Sequence, residues 1–250
     1  MYHFFAEHEN IHDTYIEIVG SDVNHLKNVL RFKKGDNLLI SSGDNVDYIC
    51  HISEMYDDKI IALIDSIDNV GKELPSKVYL FQGLPKGDKM ELIIQKMTEL
   101  GVHQIIPVAM KRSVVKLDSK KEGNKIKRWN LIAESAAKQS KRSIIPEITG
   151  VCGFKEAIEF ADSLDVKLLP YECADGMSKT KNIINNIKKG QSVAIFIGPE
   201  GGFEEKEVLA AQEVGALTVS LGKRILRTET AAITAVGMCM LYSEMSDENL

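Results

Sequence analysis

Alternating apolar and polar positions open the chain. Tyr2–Ala6, Thr14–Val19, Asp36–Ser41, Val46–Met55 and Lys59–Ile67 read as strands. Ser42-Gly43-Asp44-Asn45 and Asp57-Asp58 sit between them as hairpin turns. Ser21 or Asp22 can cap a short helix whose Val23, Leu26, Val29 and Leu30 share one face. Short strands joined by tight turns predict a small β-barrel over residues 1–70. Residues 71–76, with Gly71 and Pro75, read as a linker. From residue 77 the rhythm changes. Strand patterns at Lys77–Gln82, His103–Met110, Val166–Tyr171, Val193–Ile197 and Leu217–Leu221 alternate with helix patterns. The helices are Gly87–Leu100, Asn124–Arg142, Phe154–Ala161, Lys179–Ile187, one from Glu204 and one from Thr230, and Ile144–Ile148 is short and extended. This alternation predicts an α/β domain over 77–250, a parallel sheet covered by helices on both faces.

Two short loops stand out at strand ends. Gly198-Pro199-Glu200-Gly201-Gly202 follows an apolar strand, and Gly222 to Glu229 follows the next. In open α/β sheets ligands gather outside the carboxyl ends of strands, and glycine lets backbone approach them. In the second loop Ile225 and Leu226 lie between Arg224 and Arg227, which a solvated turn does not explain.

The run IGPEGGF followed by LGKRILRTETA resembles the S-adenosylmethionine (SAM) signature of SPOUT methyltransferases, and within them the RsmE family. HLKNVLRFKKGD, KGDKMELIIQKMTELGV, RWNLIAESAAKQSKRSIIPEI and LLPYE match that family in the same order, across essentially the whole chain. The resemblance implies a PUA-like N-terminal barrel and a SPOUT domain with a C-terminal trefoil knot. It implies SAM-dependent methylation of uridine N3 in 16S ribosomal RNA of the small ribosomal subunit, by a cytoplasmic homodimer. Two other readings stay open: a SPOUT enzyme with another target, such as a ribose 2′-OH or a tRNA base, and a non-catalytic ribosome-assembly factor.

Charge sharpens the partner. The net charge is −5, yet residues 1–71 carry −8, residues 72–150 carry +8 and residues 151–250 carry −5. A basic segment of this kind is the footprint of a phosphate backbone. No apolar run approaches the roughly 18 residues of a membrane span. The N-terminus lacks a basic region followed by an apolar one, so no secretory signal is expected. Four scattered cysteines without a CxxC pair fit free thiols in a reducing compartment. His8-Glu9-Asn10-Ile11-His12 matches HExxH, but it lies between two strand patterns and not on a helix, so no metal is expected. Neither Gly-x-Gly-x-x-Gly nor a Walker A motif is present.

The resemblance assigns the cofactor site to Leu169, Ile197, Gly198, Glu200, Gly202, Leu221, Gly222, Arg224, Ile225, Leu226 and Thr230. For Leu169, Ile197 and Leu221 the pattern alone reads as strand core. Uracil N3 carries a proton at neutral pH, so a group must accept it or stabilise the anion. Arg227 suits the second task, because its planar fork donates bidentately. Glu229 is a candidate base or the N-cap of the helix from Thr230. Arg224 is a candidate pin for Glu200 or Glu229. RNA contacts are expected at Arg31, Lys33 and Lys34 of the barrel, and at Arg112, Lys116, Arg128, Lys138, Lys141 and Arg142.

Overall fold

The computed structural model describes residues 1–115, 119–172 and 176–247. Contacts divide the chain into two compact units. The first holds Met1–Glu73 with Ala137–Ile145, and the second Leu74–Ala136 with Pro146–Leu250.

The first unit is a curled five-stranded sheet. Its strands are β1 (Tyr2–Phe5), β2 (Tyr15–Val19), β3 (Asn37–Ser41), β4 (Asp47–Met55) and β5 (Lys59–Asp68), in the order β1-β3-β4-β5-β2. Only β1 and β3 run parallel. The order ends on β1 and β2, so the barrel is a half-barrel. Alternate residues Ile16, Ile18, Leu38, Ile40, Cys50, Ile52, Ile60 and Ala62 bury one face, as the period of two demands. Helix α1 (Ser21–Asn24) differs from the expected helix. It starts after Gly20, with no side-chain cap, and widens into a π turn over His25–Val29. The Leu30 N–H reaches back to the His25 carbonyl at 2.9 Å. That extra residue rotates Val29 off the apolar face, and it is exposed. His8–Asn10 form one 3₁₀ turn, not a helix.

A buried polar chain ties this unit together. His3 Nε2 lies 2.7 Å from Ser41 Oγ, Ser41 donates to Asp47, and Lys72 donates to the same carboxylate. Burial alone would push the Asp47 carboxyl up, but hydrogen bonds from Lys72, Ser41 and Ser143 outweigh it and hold the group below its ordinary range. Burial pushes the His3 imidazole down, against the charge of Asp47. Both groups therefore bind protons less well folded than unfolded. Their stabilisation is complete above the free histidine value of 6.5 and is lost on acidification, through His3 first and Asp47 below it. We expect the melting temperature to fall as pH drops below about 6.5. His3→Gln should remove the upper part of that slope and Asp47→Asn the lower part, as read by calorimetry across pH.

The second unit is α/β. Its strands are β6 (Lys77–Gly83), β7 (Gln104–Ala109), β8 (Glu147–Ile148), β9 (Cys152–Gly153), β10 (Val166–Pro170), β11 (Ser192–Ile197) and β12 (Leu217–Val219). They run parallel in the order β12-β10-β11-β6-β7-β8, with β9 also on β7. Helices α2 (Lys89–Glu99), α3 (Ser119–Ser140), α4 (Phe154–Asp162), α5 (Gly176–Ile184), α6 (Glu205–Glu213) and α7 (Thr228–Asp247) connect or follow them. The last turn of α3 belongs to the first unit. Central β11 is buried from Val193 to Ile197, which explains its unbroken apolar run. Phe81 stacks on Phe196 at 4.6 Å beneath the strand ends.

Candidate functional site

Strands β6 and β11 are neighbours, with Gln82 opposite Ile197. Gly83, the last residue of β6, and Gly198, the first after β11, stand at the carboxyl ends of the sheet. The strands approach so closely there that a Cβ on Gly83 would stand 2.6 Å from Pro199 Cδ and 2.7 Å from Pro199 N. The Gly202 N–H closes the β11 loop on the Pro199 carbonyl at 2.9 Å, with Gly202 at φ +68°. Glu207 then caps α6 by accepting the Glu204 N–H at 2.8 Å.

Thr228 locks this loop to the second one. Its hydroxyl donates to the Gly198 carbonyl at 2.7 Å and accepts from Gln82 Nε2 at 3.0 Å. Both side chains are buried, and Gln82 Oε1 has no hydrogen-bond partner among the described residues. Helix α7 starts at Thr228, so Glu229 is its second residue and not its N-cap, correcting the expectation above. The Thr228 hydroxyl bonds across the sheet end, which is why no local capping signal marks this start.

Two carboxylates meet one ammonium beside this lock. Lys89 Nζ lies 2.9 Å from Glu200 Oε1 and 3.6 Å from Glu229 Oε2. Glu200 also accepts the Lys86 N–H at 3.1 Å. Burial pushes the Glu200 carboxyl up, but the Lys89 and backbone hydrogen bonds outweigh it and hold it below its ordinary range. Lys89 thus takes the pinning role expected of Arg224. Arg224 and Arg227 are exposed, with no ion pair among the described residues.

The remaining expected residues divide clearly. Leu169 and Ile197 are buried strand residues, and Leu221, Gly222 and Leu226 are half-buried. Thr230 is exposed, and so is Ile225, at 88%. Gly222 adopts φ +107° and donates to Ser220 Oγ at 3.2 Å. Arg112 donates to the Gly201 carbonyl at 3.0 Å, next to the first loop. Arg128 pairs with Glu91 at 2.7 Å. Lys138 pairs with Asp22 at 3.3 Å and lies 5.7 Å from the Phe4 ring centroid. Arg142 is 4% exposed and paired with Glu73, so it is an internal pin and not a surface cation. Arg31, Lys33 and Lys141 are exposed. Lys116 lies outside the described residues. Sequence reasoning missed Gln82, Lys89 and Thr228; the one available signal was that Lys89 stands inside the KGDKME run. A separate cavity of about 600 Å³, lined by Val166, Asn182, Ile183 and Leu217 among others, lies at the amino ends of β10 and β12, away from these loops.

Paired loops at the carboxyl ends of central parallel strands, in a chain that opens with a small curled sheet, define a class. Residues 72–240 match the model of the RNA methyltransferase domain, and residues 18–65 that of the RNA methyltransferase PUA domain. The chain is 41% identical over 231 residues to ribosomal RNA small subunit methyltransferase E of Bacillus subtilis (strain 168), covering 91% of this chain and 90% of that protein. Its structure is similar to the crystal structure of the Neisseria gonorrhoeae ribosomal RNA small subunit methyltransferase E bound to S-adenosyl methionine. That match has a TM-score of 0.80 at 30% identity, over 94% of this chain and 95% of that one. A Legionella pneumophila protein in complex with SAM matches at a TM-score of 0.83 and 31% identity, over 96% of each chain. The chain belongs to the ribosomal RNA small subunit methyltransferase E family.

Proposed function

We propose that the protein uses SAM to methylate N3 of a uridine in 16S ribosomal RNA, on the small ribosomal subunit. The observation that carries this reading is the Thr228 lock, which fixes both glycine-containing loops at one end of the sheet, in a chain of this family. The residues fit the cofactor. Gly202 and Gly222 leave open space where a Cβ would stand, so backbone can approach a ligand, and Ile197, Leu221 and Leu226 offer an apolar wall. Gly198, Glu200, Gly202, Gly222 and Leu226 would hold it. Bound there, SAM supplies an electrophilic methyl group.

The chain's own residues orient the base and manage its proton. Glu229 accepts the N3 proton at its carboxylate. Arg227, exposed and without an ion pair among the described residues, places its fork on the uracil oxygens or a flanking phosphate. The target nucleotide must be unstacked to reach them. Residues 1–70 act as the RNA-binding module, joined in its compact unit by 137–145, with 71–76 as linker and the rest of 77–250 as the methyl-transfer domain. Helix α7 returns from edge strand β12 to pack on β11, β6 and α2, the return path that a trefoil knot requires. A homodimer would cover Ile225 and complete each site. Among the described residues no helix is long and apolar enough to cross a membrane. Titration calorimetry with SAM tests the cofactor: micromolar binding that Gly202→Val removes is expected, and no heat from the wild type would overturn the reading.

RNA affinity should reside in the exposed cations Arg31, Lys33, Arg112 and Lys141. Arg31 and Lys141 are left-handed, at φ 56° and 59°, although neither is glycine. Each follows a helical segment, where glycine is the favoured residue. Glycine relieves about 1 kcal/mol of backbone strain there. We expect Arg31→Gly and Lys141→Gly to melt no lower than wild type. Each should nonetheless bind small-subunit RNA more weakly, with a salt slope reduced by about one, as read by filter binding against salt.

A further inference from the structure

Lys89 stands at the start of α2, facing both glycine-containing loops. Its bond to Glu200, at 2.9 Å, is a normal charge-assisted hydrogen bond. Its approach to Glu229, at 3.6 Å, is not one. Glu229 Oε2 is buried and accepts no hydrogen bond among the described residues. A buried carboxylate oxygen without a donor costs free energy and calls for a reason. Here Lys89 supplies compensating charge from 3.6 Å. The side chain of Glu229 keeps 14% exposure.

The surroundings contain little else that could do this. Helix α7 packs on α2, β11 and β6. Among the described residues, the charged group of these elements within ion-pair distance of Glu229 is Lys89 of α2, which also holds Glu200 after β11. Strand β6 contributes Gln82, which is uncharged and bonded to the neighbouring Thr228. The hydrogen bond to Glu200, against a smaller effect of burial, and the charges of both carboxylates hold Lys89 above the ordinary lysine range. It remains an ammonium throughout the neutral range.

We propose that Lys89 is a positioning residue for methyl transfer: its ammonium gathers Glu200 of the first loop and Glu229 of the first turn of α7, and holds the Glu229 carboxylate as the proton acceptor. The inference rests on the methyltransferase reading above. It assigns no contact between Lys89 and substrate.

Methyl transfer to small ribosomal subunits would be followed across pH for wild type, Lys89→Met and Lys89→Arg. For Lys89→Met we expect kcat to fall about 10- to 100-fold while KM for SAM changes less than about threefold. The acidic limb of its rate profile should move to higher pH, and Lys89→Arg should restore most of the rate. A thermal cycle on Lys89→Met, Glu229→Gln and the double variant needs no activity. Glu229→Gln should recover part of the melting-temperature loss of Lys89→Met, because one of the two uncompensated charges is gone while Glu200 still lacks its bond. An unchanged kcat, an unmoved acidic limb, or additive melting shifts would each overturn the role of Lys89. A wild type that transfers no methyl group would sink the methyltransferase reading alone, and the thermal cycle would still decide whether Lys89 holds Glu229.

Discussion

Gly83→Val is expected to abolish measurable SAM binding, because the added side chain displaces the loop that would hold the cofactor. A Cβ at this position would meet Pro199 Cδ at 2.6 Å, Pro199 N at 2.7 Å and Met110 Sδ at 2.9 Å. The methionine can move, but the proline ring and its backbone nitrogen cannot do so without carrying the loop along. Strands β6 and β11 cannot separate either, since they are paired up to Gln82 and Ile197. The loop from Gly198 to Gly202 must therefore shift, and the 2.7 Å bond from Thr228 to Gly198 breaks with it. Calorimetry with SAM reads the loss directly. Gly123→Ala is the control. It lies in α3 with open space around its Cβ position, so it should stabilise the helix by about 0.5–1 kcal/mol and leave SAM binding unchanged. Equal affinity in Gly83→Val and wild type would remove the β11 loop from the cofactor site.

Arg142→Ala should destabilise the protein by about 3 kcal/mol, the typical cost of stripping one partner from a buried ion pair. The guanidinium reaches Glu73 through Nε at 3.2 Å and through a second nitrogen, in a bidentate fork. Glu73 also accepts the Ile144 N–H at 3.1 Å. Removing the arginine leaves that carboxylate with one backbone donor in a largely enclosed site. For a chain of this size the loss lowers the melting temperature by roughly 10 °C. Lys141→Gly, one residue earlier, should not lower it at all. A melting temperature unchanged in Arg142→Ala would show that the pair is solvated and that Arg142 is free to meet RNA.

These two variants mark where sequence reading succeeds and stops. Period-two alternation located the strands of the half-barrel, because each buries one face of a single curled sheet. The unbroken apolar run of Val193–Ile197 reads as a central parallel strand for the same reason. Local signals failed where a distant partner decides the outcome. Thr228 spends its hydroxyl on Gly198, so the start of α7 carries no local cap signature, and of the two readings of Glu229 the N-cap one fails. Val29 follows the apolar spacing of its neighbours, but a π turn, which no spacing rule announces, moves it to the surface. Arg142 follows Lys138 and the exposed Lys141 in the sequence and reads as a surface base like them; Glu73, far away in sequence, draws it inside. Lys89, Glu200 and Glu229 share one ion cluster, and nothing in their separation along the chain connects them.

The central claim is methyl transfer to one atom of one base. Purified protein would be incubated with tritiated SAM and small ribosomal subunits from cells lacking the modification, and the RNA digested to nucleosides. The account predicts label that elutes as 3-methyluridine, and loss of that label in Arg227→Ala and Glu229→Gln. Label in any other nucleoside, or none from a protein that binds SAM and intact subunits, would contradict it.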